Sequence, residues 1–482
     1  MRTTSDICII GGGPAGSTLA VRMAQLGHEV CLIERSPFPR RHLGESLSPG
    51  VLPLLATIGV REAVEAAGFR RVRNVTVKWD QGPQERQDPA EQGLLVDRGH
   101  FDFLLLENAK SLGVRVVQPA SIREQQRHED GWRLRIEADG RTINLRTTFL
   151  ADASGRSSSA LPACRRRTGC RTLAVYAYWQ GTGLPEQPRI EAGPDEWYWG
   201  VPLPDGSYNT LVFVDSAHFR KGSAVPLDTR FRELIGRSGL MAGCHDARLL
   251  GRIQATDATP YLDEECVTPL SIKVGDAALA LDPLSSSGVQ KAIQTALAGA
   301  VVVNTLLRKP ERHDAAFRFY RNSLSDASER HRGWAAAHYG TVAVQGAGKF
   351  WQDRAIASRS SSVPLAAEAF NESHPLANAA VALSSGLEFV ELPCIEGAFV
   401  SVKSAVRHPN LDGPAAYLGG RELAPLLRAL PAGMTPYQLA LSWSPRVPLE
   451  SGLAIAGWLV SRGILVAQMD GQLAEPTEQA AR

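Results

Sequence analysis

The sequence predicts an α/β protein in which a parallel-sheet domain is interrupted by a β-rich domain and followed by a small C-terminal module. Three observations lead to this prediction. Two apolar strand-like runs flank a glycine-rich turn and a helix within residues 6–35. A second strand–turn–helix unit recurs at residues 272–307, and most of residues 170–265 show strand-like alternation without long helical periodicity.

The boundaries of these parts follow from the positions of the strands, helices and turns. Residues 1–165 and 267–330 are expected to form the parallel-sheet domain, and residues 166–266 the β-rich domain. Residues 70–97 are expected to contribute to the β-rich domain. After residue 330 we expect a helical connector at 331–400, with a short helix at 364–370, then a winged-helix-like module at 401–470 and a loose tail at 471–482.

Composition excludes several classes of function. The chain has 482 residues and a net charge of +2, which favours neither a nucleic-acid partner nor a membrane surface. Its seven cysteines are scattered without a C-x-x-C pair, so we expect no disulfide framework and no metal site. The first strand begins almost at once, leaving no room for a signal peptide, and we expect a cytoplasmic protein without membrane spans.

Residues 7–34 contain a dinucleotide-binding fingerprint. Gly11, Gly13 and Gly16 fit G-x-G-x-x-G between a strand and a helix, and Glu34 ends the next strand. One glycine turns the chain, one admits the pyrophosphate and one allows helix–strand packing, while the acid accepts a ribose hydroxyl. The acid disfavours NADP at this position, but the fingerprint alone leaves NAD and FAD open.

A second turn offers another helix N-terminus. A strand ends in Gly275-Asp276, a proline turn follows, and Ser287-Gly288 opens a long helix. Such an N-terminus favours an electron-rich ligand group, and Asp276 is placed to accept hydrogen bonds from a polyol such as ribitol. A second turn of this kind suits a ligand longer than NAD.

Two further segments contain candidate catalytic or substrate-lining residues. The loop at residues 37–47 includes His42 and Glu45 and leaves the sheet where it can reach a bound flavin. The run Trp197-Tyr198-Trp199 can either pack a sheet or wall an aromatic substrate. We consider His42, Glu45 and Tyr198 as acid–base candidates, and Trp197 and Trp199 as substrate-lining residues.

These motifs, together with Asp97-Arg98 and Asp152-Ala153-Ser154-Gly155, stand in the order found in FAD-dependent monooxygenases of the p-hydroxybenzoate hydroxylase fold. The chain resembles the tryptophan-halogenase-like branch through residues 42–46, 282–288 and 197–202. The resemblance covers residues 5–330 and implies a Rossmann-like FAD-binding domain. The implied FAD contacts are Gly11, Gly13, Pro14, Ala15, Gly16, Glu34, Arg35, Arg98, Asp276, Pro283, Ser287, Gly288 and Val289.

The resemblance also implies a chemistry. Reduced FAD would react with O2 at its C4a position to give a hydroperoxide that oxidises an aromatic ring, while the protein positions and desolvates the reactants. NAD(P)H or a separate flavin reductase would supply the electrons. Halogenases of the branch need a lysine, and Val72 stands where our alignment expects it, whereas Lys78 falls outside the pattern. Valine has no donor or nucleophilic nitrogen, so we favour oxygenation.

The identity of the substrate comes from a narrower resemblance. The chain is similar to flavoproteins of tryptophylquinone biogenesis (the maturation of quinohemoprotein amine dehydrogenase), which implies hydroxylation of a tryptophan side chain within a partner polypeptide. Three alternatives stay open. They are a halogenase or hydroxylase of a small aromatic metabolite, a flavin-dependent prenyl reductase, and a protein that merely carries FAD.

Overall fold

The computed structural model describes residues 3–87, 93–157, 160–219, 225–244, 246–344, 346, 348–356, 374–444 and 446–468. It divides into two compact units, residues 1–361 and 362–482. The elements of the first unit are β1 Thr4–Ile10, α1 Pro14–Gln25, β2 Val30–Ile33, β3 Ser46–Leu47, α2 Val51–Thr57, α3 Arg61–Ala66, β4 Arg70–Arg71, β5 Asn74–Lys78, β6 Gln84–Gln87, β7 Leu94–Leu95, α4 Arg98–Ser111, β8 Arg115–Val117, β9 Ala120–His128, β10 Gly131–Ala138, β11 Arg141–Asp152, β12 Arg165–Arg167, β13 Thr172–Gln180, β14 Arg189–Ala192, β15 Glu196–Pro202, β16 Tyr208–Asp215, α5 Leu227–Arg237, β17 Arg248–Asp257, β18 Tyr261–Asp263, β19 Val267–Thr268, β20 Ser271–Lys273, β21 Leu279–Ala280, α6 Gly288–Arg308, α7 His313–Ala343 and α8 Lys349–Ala355.

The elements of the second unit continue the numbering. They are β22 Val381–Leu383, β23 Glu388–Glu396, β24 Phe399–Arg407, β25 Tyr417–Leu418, β26 Arg421–Glu422, α9 Leu423–Arg428, α10 Pro436–Trp443, α11 Leu449–Ser461 and β27 Leu465–Ala467.

A parallel sheet forms the centre of the first unit. Its strands lie in the order β8-β2-β1-β11-β20, and β1 is buried because its residues Ile7, Cys8 and Ile9 have no exposed surface. Strand order reverses beside β1, which makes the crevice between the carboxyl ends of β1 and β11 the expected ligand site of a doubly wound fold. The Rossmann-like architecture predicted from the sequence is confirmed.

A second sheet of seven strands lies in the same unit, in the order β17-β13-β16-β15-β14-β5-β6. Strands β5 and β6 come from residues 74–87 and join it because β5 pairs in parallel with β14. In β15 and its neighbours, residues two apart share a face. One face carries Trp197 and Trp199, and the opposite face carries Tyr198.

The helical connector expected at residues 331–400 does not form one separate segment in the structure. Helix α7 runs without a break from His313 to Ala343, and α8 follows at Lys349. Residues 374–400, which we expected in a helical connector, lie in the second unit and include the strands β22 and β23. The expected helix at 364–370 and the expected tail at 471–482 lie outside the described residues.

The second unit has its own apolar core. The hairpin β23–β24, the strand pair β22–β27 and three short helices surround Leu423, Trp443 and Leu459. Helix α10 begins with a capping box in which Thr435 and Gln438 exchange side-chain and backbone hydrogen bonds. The three helices and the strand β27 all lie within residues 401–470, the range expected for the winged-helix-like module. In neither unit does a described helix have the length and apolarity that crossing a bilayer requires.

Candidate active site

The first glycine-rich turn leaves no space for side chains. A Cβ atom on Gly11 would lie 2.5 Å from the Ala153 carbonyl oxygen, and one on Gly16 would lie 1.8 Å from the Gly11 carbonyl oxygen. Gly11 also has a φ of +106°, which side-chain-bearing residues rarely adopt. Gly13 is the N-cap of α1, so the unpaired N–H groups of that helix face the edge of the sheet.

Glu34 lies beside this turn and is 5% exposed. Its Oε2 atom accepts a hydrogen bond from the Gly12 N–H at 2.7 Å, and its Oε1 atom accepts from the Ser36 N–H at 2.9 Å. A carboxylate accepts about four hydrogen bonds, so two remain for ribose hydroxyls. The position is the one that the fingerprint predicts.

The second turn is held by side-chain contacts as well as backbone. Asp282 caps the short 3₁₀ turn Pro283–Ser285, and Ser286 follows in a left-handed conformation with a φ of +51°. Helix α6 then begins at Gly288. A Cβ atom on Gly288 would meet no protein atom within 4 Å, so the space in front of this helix start is open.

Both turns line one cavity of about 820 Å³, within the range of pockets that hold cofactors, about 300–1,000 Å³. Two stretches of chain more than 260 residues apart therefore converge on the same space, as the expected grip on a single FAD requires. Of the expected FAD contacts, those lining this cavity are Gly11, Gly13, Pro14, Ala15, Glu34, Arg35, Arg98, Asp276, Pro283, Gly288 and Val289. Gly16 packs behind the turn, and Ser286 rather than Ser287 faces the cavity.

Arginine side chains give the cavity a positive region. Arg98 forms a two-pronged pair with Asp102 at 2.9 and 3.1 Å, and Arg40 lies 3.5 Å from the same carboxylate. The Nη1 atom of Arg40 is buried without a hydrogen-bond partner among the described residues. The Nη2 atom of the same guanidinium lies 3.7 Å from the position of a Cβ atom on Gly13, so the cation beside this turn suits the anionic linkage of a dinucleotide.

Sequence reasoning missed four basic residues. Arg40, Arg41 and Arg156 line the cavity, and Lys291 pairs with Asp276. The only signal was the basic character of the loop at residues 40–41. Tertiary packing brings Arg156 and Lys291 to the site, and no local sequence pattern predicts this.

Glu45 lies where the loop after β2 meets the seven-stranded sheet, and it is 5% exposed. Its Oε1 atom accepts hydrogen bonds from the Tyr178 hydroxyl at 2.8 Å and from Asn209 Nδ2 at 3.1 Å. Burial raises the pKa of Glu45 above its ordinary value, although these donors and Arg98 oppose the shift. The neutral carboxyl is thus favoured more than in water.

His42 lines the same cavity, and its Nδ1 atom lies 2.9 Å from the Leu43 carbonyl oxygen. Burial and the nearby Arg98 guanidinium lower the pKa of His42 below 6.5. The imidazole is therefore neutral near neutral pH. His42 and Glu45 both stay acid–base candidates by position.

The three adjacent aromatic residues do not act together. Trp199 lines the cavity with Ala174, Leu211 and Phe213. Trp197 lies behind that wall and stacks on Phe213 with ring centroids 3.8 Å apart, so the expectation that Trp197 lines the substrate space is wrong.

Tyr198 points to the other face of the sheet, where its hydroxyl donates to Glu196 Oε1 at 2.6 Å. There it packs in an apolar cluster with Trp179 and Tyr208. This position rules out Tyr198 as an acid–base residue in the cavity. The cause is the two-residue period of the strand, which puts Tyr198 opposite Trp197 and Trp199.

Lysine is absent from the described residues that line the cavity. Lys78 pairs with Glu191, Nζ to Oε1 at 2.7 Å. Glu191 is in register with Lys78 on one side and with Tyr198 on the other. Directly paired residues share a face, so Lys78 lies on the face turned away from Trp199 and the cavity.

Comparisons with known proteins agree with this geometry. Residues 4–173 match the FAD binding domain family. The tryptophan 2-halogenase of Chondromyces crocatus is 32% identical over 344 residues, and that match spans 66% of this chain and 64% of the enzyme's length. The flavin-dependent halogenase armH1 of Armillaria mellea is 29% identical over 368 residues, 68% of this chain and 70% of the relative.

Two solved structures extend the likeness over both units. The peptidyl tryptophan dihydroxylase QhpG, essential for tryptophylquinone cofactor biogenesis, has a TM-score of 0.74 at 28% identity, covering 95% of this chain and 99% of that one. The flavin-dependent halogenase CmlS also has a TM-score of 0.74, at 22% identity, covering 97% of this chain and 96% of its own, and shows the shared fold.

Proposed function

We propose that this chain is an FAD-dependent monooxygenase of the tryptophan-halogenase-like branch and that it hydroxylates the indole ring of a tryptophan side chain in a partner polypeptide. The partner would be a precursor of a tryptophylquinone protein. Bound FAD, once reduced, supplies the oxygen-activating chemistry. The residues of this chain bind it, orient the substrate and exclude water.

The observation that best supports oxygenation over halogenation is the set of residues that line the cavity. It has an apolar wall with Trp199, two acid–base candidates in His42 and Glu45 and, among its described residues, no lysine. Lys78 faces away, and Val72 is a hydrocarbon side chain. A halogen-transferring site of this branch would need a lysine amine, so the lining supports oxygenation.

The choice of a polypeptide substrate rests on sequence identity among the solved structures that match both units. QhpG is 28% identical over 95% of this chain, whereas the halogenase CmlS, which covers 97% of it, is 22% identical. QhpG is a peptidyl tryptophan dihydroxylase. We extend that substrate class to this chain as part of the proposal.

Several side chains have defined tasks in this proposal. The start of α6 at Gly288 offers backbone N–H groups to the negative charge of the reduced flavin ring. Ala174, Leu211 and Phe213 exclude water from the substrate side, and Trp199 packs against the indole ring. Glu45, held by Tyr178 and Asn209, exchanges a proton with the substrate.

Incubation of the reduced enzyme with O2 and a tryptophan-containing partner peptide tests the proposal. We expect the intact mass of the peptide to rise by whole oxygen atoms, and a matched peptide with phenylalanine at the target position to stay unchanged. Parallel reactions with NADH, NADPH or a flavin reductase identify the electron donor. An unmodified peptide beside oxidised free indoles would contradict a polypeptide substrate.

Halogenation of a small aromatic compound is the second candidate, because the tryptophan 2-halogenase is 32% identical to this chain. The same assay separates the two reactions when bromide is present. A product with the isotope pattern of bromine would establish halogenation, whereas incorporation of labelled oxygen from O2 would establish hydroxylation.

A further inference from the structure

A second, smaller cavity lies next to the FAD cavity, with a volume of about 60 Å³. Its lining shares Leu281 and Asp282 with the larger cavity, and helices α7 and α8 supply much of the rest. A water molecule takes about 30 Å³, so this space suits two waters or one small ion. It is too small for an aromatic substrate.

Arg354 lines this small cavity and is 5% exposed. Its guanidinium donates to the carbonyl oxygens of Phe350 and Arg171 at 3.1 and 3.2 Å, and to Thr172 Oγ1 at 2.8 Å. All three acceptors are neutral. The remaining donor, Nε, is buried and has no hydrogen-bond partner within the described parts of the chain.

Among the described residues, no carboxylate forms an ion pair with Arg354, although Asp353 and Asp282 line the same cavity. The Phe350 ring lies 3.6 Å below the guanidinium and offers partial compensation by a cation–π contact. A ring quadrupole does not neutralise a full charge, and a buried unpaired ion is costly.

Other partners hold the two carboxylates of the lining. Asp282 accepts hydrogen bonds from the Tyr339 hydroxyl at 2.9 Å and from the Leu284 N–H at 3.1 Å. Burial raises the pKa of Asp282, although these donors and the nearby His331 and Arg354 oppose the shift. Asp353 pairs with Lys349, Nζ to Oδ2 at 2.7 Å, so neither carboxylate is committed to Arg354.

We propose that the cavity beside Arg354 is a binding site for one small monovalent anion, a halide or a carboxylate the size of formate. The anion would accept a hydrogen bond from Arg354 Nε and supply the missing negative charge. Because Leu281 and Asp282 separate it from the FAD cavity, the occupied site would brace the residue that caps the Pro283–Ser285 turn. The site is independent of the reaction proposed above.

Crystals of the FAD-loaded full chain grown in bromide test this directly. We expect an anomalous scattering peak within hydrogen-bonding distance of Arg354 Nε. In solution, replacing a bulky sulfonate by bromide or by formate at constant ionic strength should raise the thermal midpoint by about 1–3 °C. Bromide active and formate inactive would identify a halide site, and the reverse a carboxylate site.

Variants distinguish the site from a general salt effect. Arg354→Met removes the cation, and Ala336→Val fills the cavity while leaving Arg354 in place, so both should lose the anion-dependent shift. Arg428→Met is the matched control, since Arg428 also lies over a phenylalanine ring, Phe389 at 4.8 Å, and should keep the shift. An absent bromide peak together with no shift by either bromide or formate, or an equal shift in Ala336→Val, would overturn the proposal.

Discussion

Lys291 and Asp276 form an ion pair in which the Nζ and Oδ1 atoms lie 2.5 Å apart. Lys291 lies in the first turn of α6 and is 5% exposed, while Asp276 follows β20 in the second turn. Lys291 also donates to the Leu279 carbonyl. The carboxylate expected to meet the ribityl chain of FAD is thus held in place by the protein itself.

Removing one member of this pair should be worse than removing both. Asp276→Asn leaves Lys291 buried without a counter-charge and should lower the free energy of unfolding by about 2 kcal/mol, below the cost for a fully buried pair because Asp276 is 35% exposed. The double variant with Lys291→Met should lose less than the sum of the single variants. Urea unfolding of the FAD-free protein measures both, and additive losses would contradict the coupling.

The same pair predicts a dependence on pH. Burial alone would raise the pKa of Asp276, but attraction by Lys291 and Arg156 outweighs it and lowers the pKa below 3.8. The contribution of the pair is therefore present above the ordinary carboxyl range and is lost as pH falls through the lowered value. Acid unfolding of wild type should be steeper below pH 3.8 than that of the double variant.

A substitution at Gly288 should weaken cofactor binding without affecting folding. A side chain there meets no protein atom within 4 Å, and valine is a slightly better helix former than glycine, so Gly288→Val should change the free energy of unfolding of the FAD-free protein by less than about 1 kcal/mol. The same side chain occupies the space in front of α6 and should weaken FAD binding at least tenfold. Fluorescence titration with FAD measures the affinity, and unchanged binding would place the flavin elsewhere.

Gly16 should behave in the opposite way. Gly16→Ala drives a Cβ atom against the Gly11 carbonyl, so both stability and flavin content should fall. The matched control is Gly333→Ala in α7, where a Cβ atom meets nothing within 4 Å and alanine is the better helix former. Flavin absorbance per protein should stay at the wild-type level in the control and drop in Gly16→Ala.

Lys78 should be dispensable for the reaction. It pairs with Glu191 on the face of the sheet turned away from the cavity, and 40% of its side chain is exposed. Its partner Glu191 is only 3% exposed but keeps hydrogen bonds from Ser238 and from the Gly239 and Leu240 N–H groups, so Lys78→Gln should cost about 1–2 kcal/mol of stability and leave product formation unchanged. Loss of all product in this variant, with folding intact, would mean that the lysine takes part in halogen transfer.

Glu45 should make stability fall with rising pH. Its pKa is raised by burial, so the folded chain holds the proton more tightly than the unfolded chain, and this contribution is lost as pH rises from 4.5 through the raised value. Glu45→Gln cannot titrate and should flatten that part of the profile. Urea unfolding across a pH series makes the comparison.

Local patterns predicted the parts of the site that depend on backbone geometry. Gly11 and Gly16 could be identified because the chain path there forbids a side chain, and Glu34 because it ends a strand at a fixed distance from the turn. The convergence of Gly13 and Gly288 on one cavity also followed, since the carboxyl ends of parallel strands share an edge.

Other parts of the site depend on which face of an element meets which neighbour. The alternation of β15 was enough to show that Tyr198 cannot share a face with Trp199, but not which face meets the cavity. Arg354 gave no signal at all, because its segment carries no motif and its burial comes from packing against β13 and Phe350.

The wide separation of the two glycine turns has a consequence for biosynthesis. Until the ribosome has added Val289, a nascent chain contains only the first of the two turns that line the FAD cavity. All seven strands of the second sheet have been synthesised by then. Flavin capture is therefore a late event that closes the domain around an already synthesised insert. We therefore expect chains that end within the β-rich domain to bind no flavin and to have no yellow colour.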